Sequence, residues 1–241
     1  MTYIYLDNNV IINIEEGKLQ LPPLADYAYP FSYVHIEELL ESGDRLEKLK
    51  KTRLSTLSFL SRNHCLFNDE SDKVSIINCT PMDVYNKCCT PIMRAINQAI
   101  KMRCSNTNDN NVIIKYFDID KRVINNYTPE QLRAKHSDFI EHYVFSSSDE
   151  NRLEAFNSFF NVMDLLGFWQ DEKKAKSSLN RLYDAKHAYH ATSCDLFITD
   201  DVKTRNKANV LYSYYGYKTK AISTKQLLEI LNNASSDSII G

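Results

Sequence analysis

Apolar positions in this chain fall into short runs that end on polar turns, and several of those turns carry acids. Thr2 to Leu6 is an apolar run of strand length closed by Asp7-Asn8-Asn9, after which VIINI starts a short helix. Pro22-Pro23 and Pro30 interrupt the pattern, and Phe31 to Val34 then reads as a second buried strand running into the helical HIEELLE. From Gly43 to Leu60 the residues Leu46, Leu49, Leu57 and Leu60 keep a mostly helical spacing. Arg45, Lys48, Lys50, Lys51 and Arg53 load the opposite side with positive charge.

The middle, about 61–149, is less regular and reads as a mainly helical insertion. It holds short apolar pieces (VSII, VIIKYF) and an asparagine-rich stretch from Ser105 to Asn111 expected to be a surface loop. It also holds a clear helix start at Thr128-Pro129 with Gln131 completing a capping box. Asp149 is placed to cap a helix in which Leu153, Phe156, Phe160, Met163 and Leu166 recur on one face, and Gly167 stops it. That periodicity marks the aromatics as core.

The last third alternates. A helix from about Ser177 to Cys194 precedes the strand DLFIT, and a helix from about Val202 to Tyr215 ends at Gly216. The strand KTKAI follows, then a helix opened by Ser223 and Gln226 that runs through Leu231. Strands alternating with helices predict a parallel sheet with helices on both faces, whose strand carboxyl ends form the functional edge. Asp7 and the Asp200-Asp201 pair both follow directly after predicted strands, so the topology brings them to one rim.

Composition narrows the field. With 241 residues, 43% hydrophobic and 25% charged, the chain suits one well-buried domain or a domain carrying an insertion. No stretch approaches the ~18 uninterrupted apolar residues of a membrane span, and the N-terminus runs straight into a strand, so a cytoplasmic protein without a membrane partner is expected. Cys65, Cys79, Cys88, Cys89, Cys104 and Cys194 show no CxxC spacing, which gives little support to zinc or to a disulfide framework. A net charge of -2 excludes a globally basic nucleic-acid binder and leaves a local basic groove open.

The candidate chemistry lies in four acidic stretches at element edges: Asp7 in YIYLDNN, Glu37 and Glu38 in YVHIEELL, Asp184 in RLYDAKHAYHA, and Asp200 and Asp201 in LFITDD. A carboxylate beside an apolar strand costs free energy unless a cation compensates it, and a divalent metal compensates several at once. Each acid also has a plainer reading. Asp7 suits a helix cap, Glu37 a solvated neighbour of Glu38, Asp184 a surface pair with Lys186 or Arg181, and either of Asp200 and Asp201 a helix cap. His187 and His190 lie three apart on the Asp184 helix and read as structural or substrate-facing. Tyr212, Tyr214, Tyr215 and Tyr217 read as packing around the last strand.

In this order the motifs resemble those of PIN-domain nucleases, a family that includes the toxins of many bacterial toxin-antitoxin pairs. YLDNNVI resembles the family's opening strand and Asp. SYVHIEEL resembles its Ser followed six residues later by Glu and Leu, selecting Ser32, Glu38 and Leu39. DAKHAYHA resembles its mid-helix Asp followed by small residues, and FITDD its Thr-x-Asp ending, selecting Thr199 and Asp201. The likeness covers about residues 1–42 and 177–222. The intervening insertion is longer than the compact toxins carry.

The resemblance implies a three-layer α/β/α PIN-like fold with a central parallel sheet and the helical insertion. It implies that Asp7, Glu38, Asp184 and Asp201, with Asp200 as an alternative ligand, bind one or two Mg2+ or Mn2+ ions for phosphodiester hydrolysis. Asn9, Ser32 and Thr199 would orient the carboxylates, and Lys203, Arg205 and Lys207 would reach substrate phosphates, with the Arg45 to Arg53 cluster extending that path. The implied substrate is RNA (tRNA, rRNA or mRNA), the implied role a toxin or defence effector, and the implied partners an antitoxin or regulatory protein and a second copy in a homodimer. A DNA or structure-specific nuclease and a non-catalytic binding module on the same fold remain open alternatives. An aspartyl phosphatase is disfavoured because Asp7-Asn8-Asn9 lacks a second acid two residues on.

Overall fold

The computed structural model describes residues 1–21, 27–41, 47–69, 73–104, 119–144, 152–171 and 177–237. The expected Ser105 to Asn111 loop, the VIIKYF run and the Asp149 cap lie outside these residues. Along the chain run β1 (Thr2–Leu6), α1 (Asn8–Glu15), β2 (Tyr27–Ala28), β3 (Phe31–Ser32), α2 (Tyr33–Glu41), α3 (Glu47–Ser61), β4 (His64–Asn68) and β5 (Val74–Asn78). They are followed by α4 (Pro81–Cys88), α5 (Pro91–Cys104), α6 (Lys121–Ile124), α7 (Pro129–Val144), α8 (Arg152–Leu166) and α9 (Ser177–Ala191). The chain closes with β6 (Leu196–Ile198), α10 (Val202–Tyr215), β7 (Lys220–Ile222) and α11 (Thr224–Asp237).

The main sheet is four-stranded and parallel, ordered β2-β1-β6-β7. Its side chains alternate between two apolar clusters. Tyr5, Phe197 and Ala221 point into one, formed with Phe156, Phe159 and Phe160 of α8, Ala185 and Ala188 of α9, and Leu211 of α10. Ile4, Leu6 and Ile198 point into the other, formed with Val10 of α1, Ile36 of α2, Leu57 of α3 and Leu227 of α11. Helices therefore cover both faces, which is why these strands read as continuous apolar runs. The open edge at β7 is closed by Asn209, whose side-chain amide donates to the Ala221 carbonyl at 2.8 Å and whose amide oxygen accepts from the Ala221 N–H at 2.9 Å.

Three predicted starts and stops hold in detail. Thr128 and Gln131 form a capping box, with Thr128 N–H donating to Oε1 of Gln131 at 2.9 Å and Gln131 N–H to Oγ1 of Thr128 at 3.3 Å. Ser223 and Gln226 repeat it. Gly216 ends α10 at φ 73, and the following Tyr217 N–H bonds back to the Tyr212 carbonyl at 2.8 Å.

One expectation needs correction. The second strand is only Phe31–Ser32, because Ser32 Oγ accepts the Val34 N–H at 3.3 Å and the helix begins at Tyr33. That strand does not join the main sheet; it starts a second, three-stranded sheet ordered β3-β4-β5. The region after Ser61 opens with two strands and is helical through most of its remaining described residues. VSII belongs to β5, which pairs antiparallel with β4 before Thr80, Pro81 and Asp83 cap α4.

Candidate functional site

Parallel pairing of β1 with β6 puts Leu6 opposite Ile198, so the next residue of each strand meets at the rim. Asp7 N–H donates to the Ile198 carbonyl at 2.9 Å, and Thr199 Oγ1 donates to Asp7 Oδ2 at 2.8 Å. Asp7 also caps α1, its Oδ1 accepting the Asn8 N–H at 2.7 Å, so its capping role and its place at the rim coexist. One turn further along the β6 exit, Asp201 caps α10 by accepting from the N–H groups of Lys203 and Thr204 at 2.8 and 3.0 Å. Asp200 turns the other way and holds Thr224 at the start of α11 through its N–H and Oγ1, at 2.9 and 2.8 Å. Both are exposed.

Helices α2 and α9 supply the remaining acids. His35 is fully buried and bridges the start of α2 to the end of β1: its Nδ1 accepts the Ser32 N–H at 3.1 Å and its Nε2 meets the Leu6 carbonyl at 2.8 Å. Burial, then the charge of His187, pushes its pKa down to about 3, so the ring is neutral with its proton on Nε2. Glu38 follows one turn later, with its carboxylate Oε2 3.1 Å from Nε2 of His187. The other ring nitrogen of His187 meets the Tyr5 hydroxyl at 2.8 Å, and that hydroxyl meets Ser32 Oγ at 2.6 Å. Arg53 clamps the same corner. Its guanidinium takes both oxygens of Glu15 at 2.7 and 2.9 Å and also donates to Asn8 Oδ1, and Asn8 in turn hydrogen-bonds Glu38.

The charges divide unevenly. Burial, then Glu38, raises the Asp7 carboxyl against the counter-pull of His187, Thr199 and Asn8. Asp184, in the middle of α9, is raised well above the ordinary carboxylate value, first by burial and then by Asp7 and Asp201; Lys207 pulls the other way. Burial alone would raise Glu38, but the charge and hydrogen bond of His187, with help from His35 and Asn8, hold it below its ordinary value. Burial would lower His187, but Glu38, then Asp7 and Asp184, raise it. A protonated His187 donates from both nitrogens, to Glu38 and to Tyr5, and stands 3.9 Å from Asp7.

No protein-family model, curated protein or solved structure matched this chain.

The site therefore rests on its own geometry, and several expected roles shift. Asn9 is exposed and hydrogen-bonds none of the acids; its neighbour Asn8 is the asparagine that faces Glu38, because α1 turns position 8 inward. Glu37 is not solvated: it is 4% exposed and pairs with Lys186 Nζ at 2.7 Å. That leaves Lys186 unable to serve Asp184, and Arg181 is likewise taken, by Asp164. Lys207 does not reach the surface. It is 1% exposed and its ammonium bonds Asp164 at 2.5 Å and Asp171 at 3.0 Å. Arg205, half-exposed, folds back to donate to the Thr199 carbonyl at 2.9 Å, and Lys203 stays half-exposed, 3.8 Å from Asp171. In the earlier basic cluster Arg53 is buried, while Arg45 and the side chain of Lys48 lie outside the described residues.

Asp184 itself has no hydrogen-bond or ion-pair partner for its carboxylate among the described residues, although it is largely buried and lies among Asp7, Asp201 and Asp171. Hard carboxylate oxygens from Asp7, Glu38, Asp184 and Asp201 are the donor set that Mg2+ or Mn2+ prefers. As placed, no three His, Cys, Asp or Glu side chains among the described residues stand at metal-holding spacing. His187 fills the gap between Asp7 and Glu38, and Asp201 is drawn toward its helix cap. Sequence reasoning missed His35 and Tyr5, whose only signal is their position: one at a helix start, one inside a strand two residues before Asp7.

Proposed function

We propose that the protein is a Mg2+- or Mn2+-dependent nuclease acting first on RNA. The observation that carries this reading is Asp184: a carboxylate left without a cation in a neighbourhood where Glu15, Glu37, Asp164 and Asp171 each have one. An acid of raised pKa beside other acids is a functional-site candidate. Asp7, Glu38, Asp184 and Asp201 are the residues that would hold the ion or ions. Such ions supply an activated water and neutralise charge on the phosphate. Thr199 and Asn8 fix the orientation of Asp7 and Glu38, and Arg205 fixes the strand end that carries Thr199. Lys203, half-exposed at the start of α10, is placed for a phosphate. The order of these acids along the chain is the one that resembles PIN-domain nucleases.

The absence of a ready-made metal-holding trio among the described residues favours a second reading, a binding module that does not cleave. Incubating the purified protein with labelled RNA and DNA pools in manganese, magnesium and EDTA separates the two. The expected result is metal-dependent cleavage of RNA that Asp184→Asn abolishes. Intact polymers in every metal, together with no calorimetric signal for manganese, would sink the nuclease reading.

A further inference from the structure

Beside the acids opens a cleft of about 350 Å³ between α1, α2, α3 and α9, and Glu38 and Asn8 form part of its wall. Its size sits at the lower end of the ~300–1,000 Å³ typical of ligand clefts, enough for one nucleotide-sized group and not for a duplex. Helix α9 serves both places at once. Asn180 and Tyr183 lie one turn before Asp184 and His187, so the same helix face that carries the acid also lines the cleft.

The chemistry of the walls selects among ligands. Leu39, Leu49 and Leu179, with the ring of Tyr183, make apolar sides suited to a flat ring. The Tyr183 hydroxyl is tied to Glu41, which fixes the ring in place. The cation that reaches the cleft, Arg53, already holds Glu15 with two nitrogens and Asn8 with the third. Two acids, Glu38 and Glu41, line the opening. A phosphate would meet net repulsion there. A neutral ring bearing an amino group would meet acceptors, and the exposed amide of Asn180 offers the donor-acceptor pair that matches an adenine edge.

We propose that this cleft seats an unpaired, amino-bearing nucleobase flanking the cleaved phosphodiester; this rests on the nuclease reading of the adjoining acids. Seating one splayed base on apolar walls is the common way proteins read single-stranded RNA. The cleft then sets base preference while the acids set cleavage.

Two readouts test it. In the first, ends released from a randomised single-stranded RNA pool in manganese are sequenced. The wild type is expected to prefer adenine over uracil at one position beside the cut, and Asn180→Ala to flatten that preference by about 10-fold, the lower end of one bidentate base contact. Base-blind ends from the wild type, or a preference unchanged in Asn180→Ala, would overturn the proposal. The second readout needs no cleavage: fluorescence of a short oligouridine carrying one 2-aminopurine, titrated in magnesium and in EDTA. Quenching is expected, weakened about 10-fold in Asn180→Ala and in Leu179→Trp, which fills the cleft. An unquenched probe, or quenching as strong as the wild type's in both variants, overturns the proposal. Quenching without cleavage of any RNA supports the base cleft and removes the nuclease reading, so the two fail separately.

Discussion

Two groups of acids share the neighbourhood of α9, and the fold treats them oppositely. On one side Asp164, 1% exposed, receives Lys207 at 2.5 Å and Arg181, and Asp171 shares Lys207. On the other side Asp7 receives a hydroxyl, a backbone N–H and a histidine contact, Asp184 has no hydrogen-bond or ion-pair partner among the described residues, and both have raised pKa values. Lys186 lies two residues from Asp184 on the same helix, yet it spans to Glu37 instead. Cations are thus present and committed elsewhere. The first group is held together by charges inside the chain; the second is left to be completed from outside it.

The sharpest break comes from Asp184→Asn. Loss of an acid from a metal-holding set removes several kcal/mol of transition-state stabilisation, so cleavage should fall more than about 10³-fold, measured on labelled RNA in manganese. The metal-free protein should meanwhile melt no lower, and in neutral buffer higher, because a repelled charge is gone. Asp164→Ala should do the reverse. Leaving Arg181 without its carboxylate and Lys207 with Asp171 alone should cost up to about 3–5 kcal/mol in a denaturant titration, whatever metal is present.

Thr199→Val is the next largest effect. It removes the hydroxyl that orients Asp7, and outer hydrogen-bond partners of this kind typically contribute ~10–100-fold, so manganese affinity by calorimetry should weaken on that scale while the fold is kept. Asp200→Asn should be milder still. Its contacts go to Thr224, and asparagine still accepts the Thr224 N–H, so the expected loss stays below about 1 kcal/mol of stability, with substantial activity retained. Abolished activity in that variant would exchange the roles of Asp200 and Asp201.

A pH series sharpens the same contrast. Asp7 and Asp184 have folded pKa values raised above the ordinary 3.8, and His187 is raised above 6.5. All three bind protons more tightly when folded, so each contributes stability at low pH that is lost as pH rises through its folded value. Glu38, held below 4.5, acts oppositely and loses its contribution only as pH falls through its own folded value. His35 and His190, whose folded values are lowered, also lose their contribution as pH falls below 6.5, so the metal-free protein should lose melting temperature toward alkaline pH through His187 and the two acids and toward acid pH through His35, His190 and Glu38. Added manganese should shrink that alkaline loss, since a ligand of the folded state stabilises it.

The parts of this arrangement that were legible are those set by local pattern. β1, β6 and β7 were visible as apolar runs, the Thr128 and Ser223 caps as short motifs, and the shared rim of Asp7 and Asp201 as a consequence of parallel order. What a side chain does after its helix is placed was not legible. Positions 8 and 9 are both asparagine, and only the turn of α1 decides which one faces Glu38. Lys203 and Lys207 both follow the last acid, and four residues of helix put one at the surface and the other in the core. The β4–β5 hairpin was readable and passed over: HCLFN and VSIIN are two apolar runs around a polar turn, which is the pattern of antiparallel strands.

The pairing of β1 with β6 has a consequence for how the protein is made. Thr2–Leu6 leaves the ribosome long before its partner on one side, Leu196–Ile198. The Asp7–Thr199 bond closes a loop of sequence separation 192, the kind of distant contact that slows folding. A growing chain thus carries Asp7 without its Thr199 partner until β6 has emerged, and the rim exists only from then on. Any chain cut short before β6 lacks Thr199 and Asp201 and leaves β1 with a bare edge, a target for quality control and incapable of forming the site.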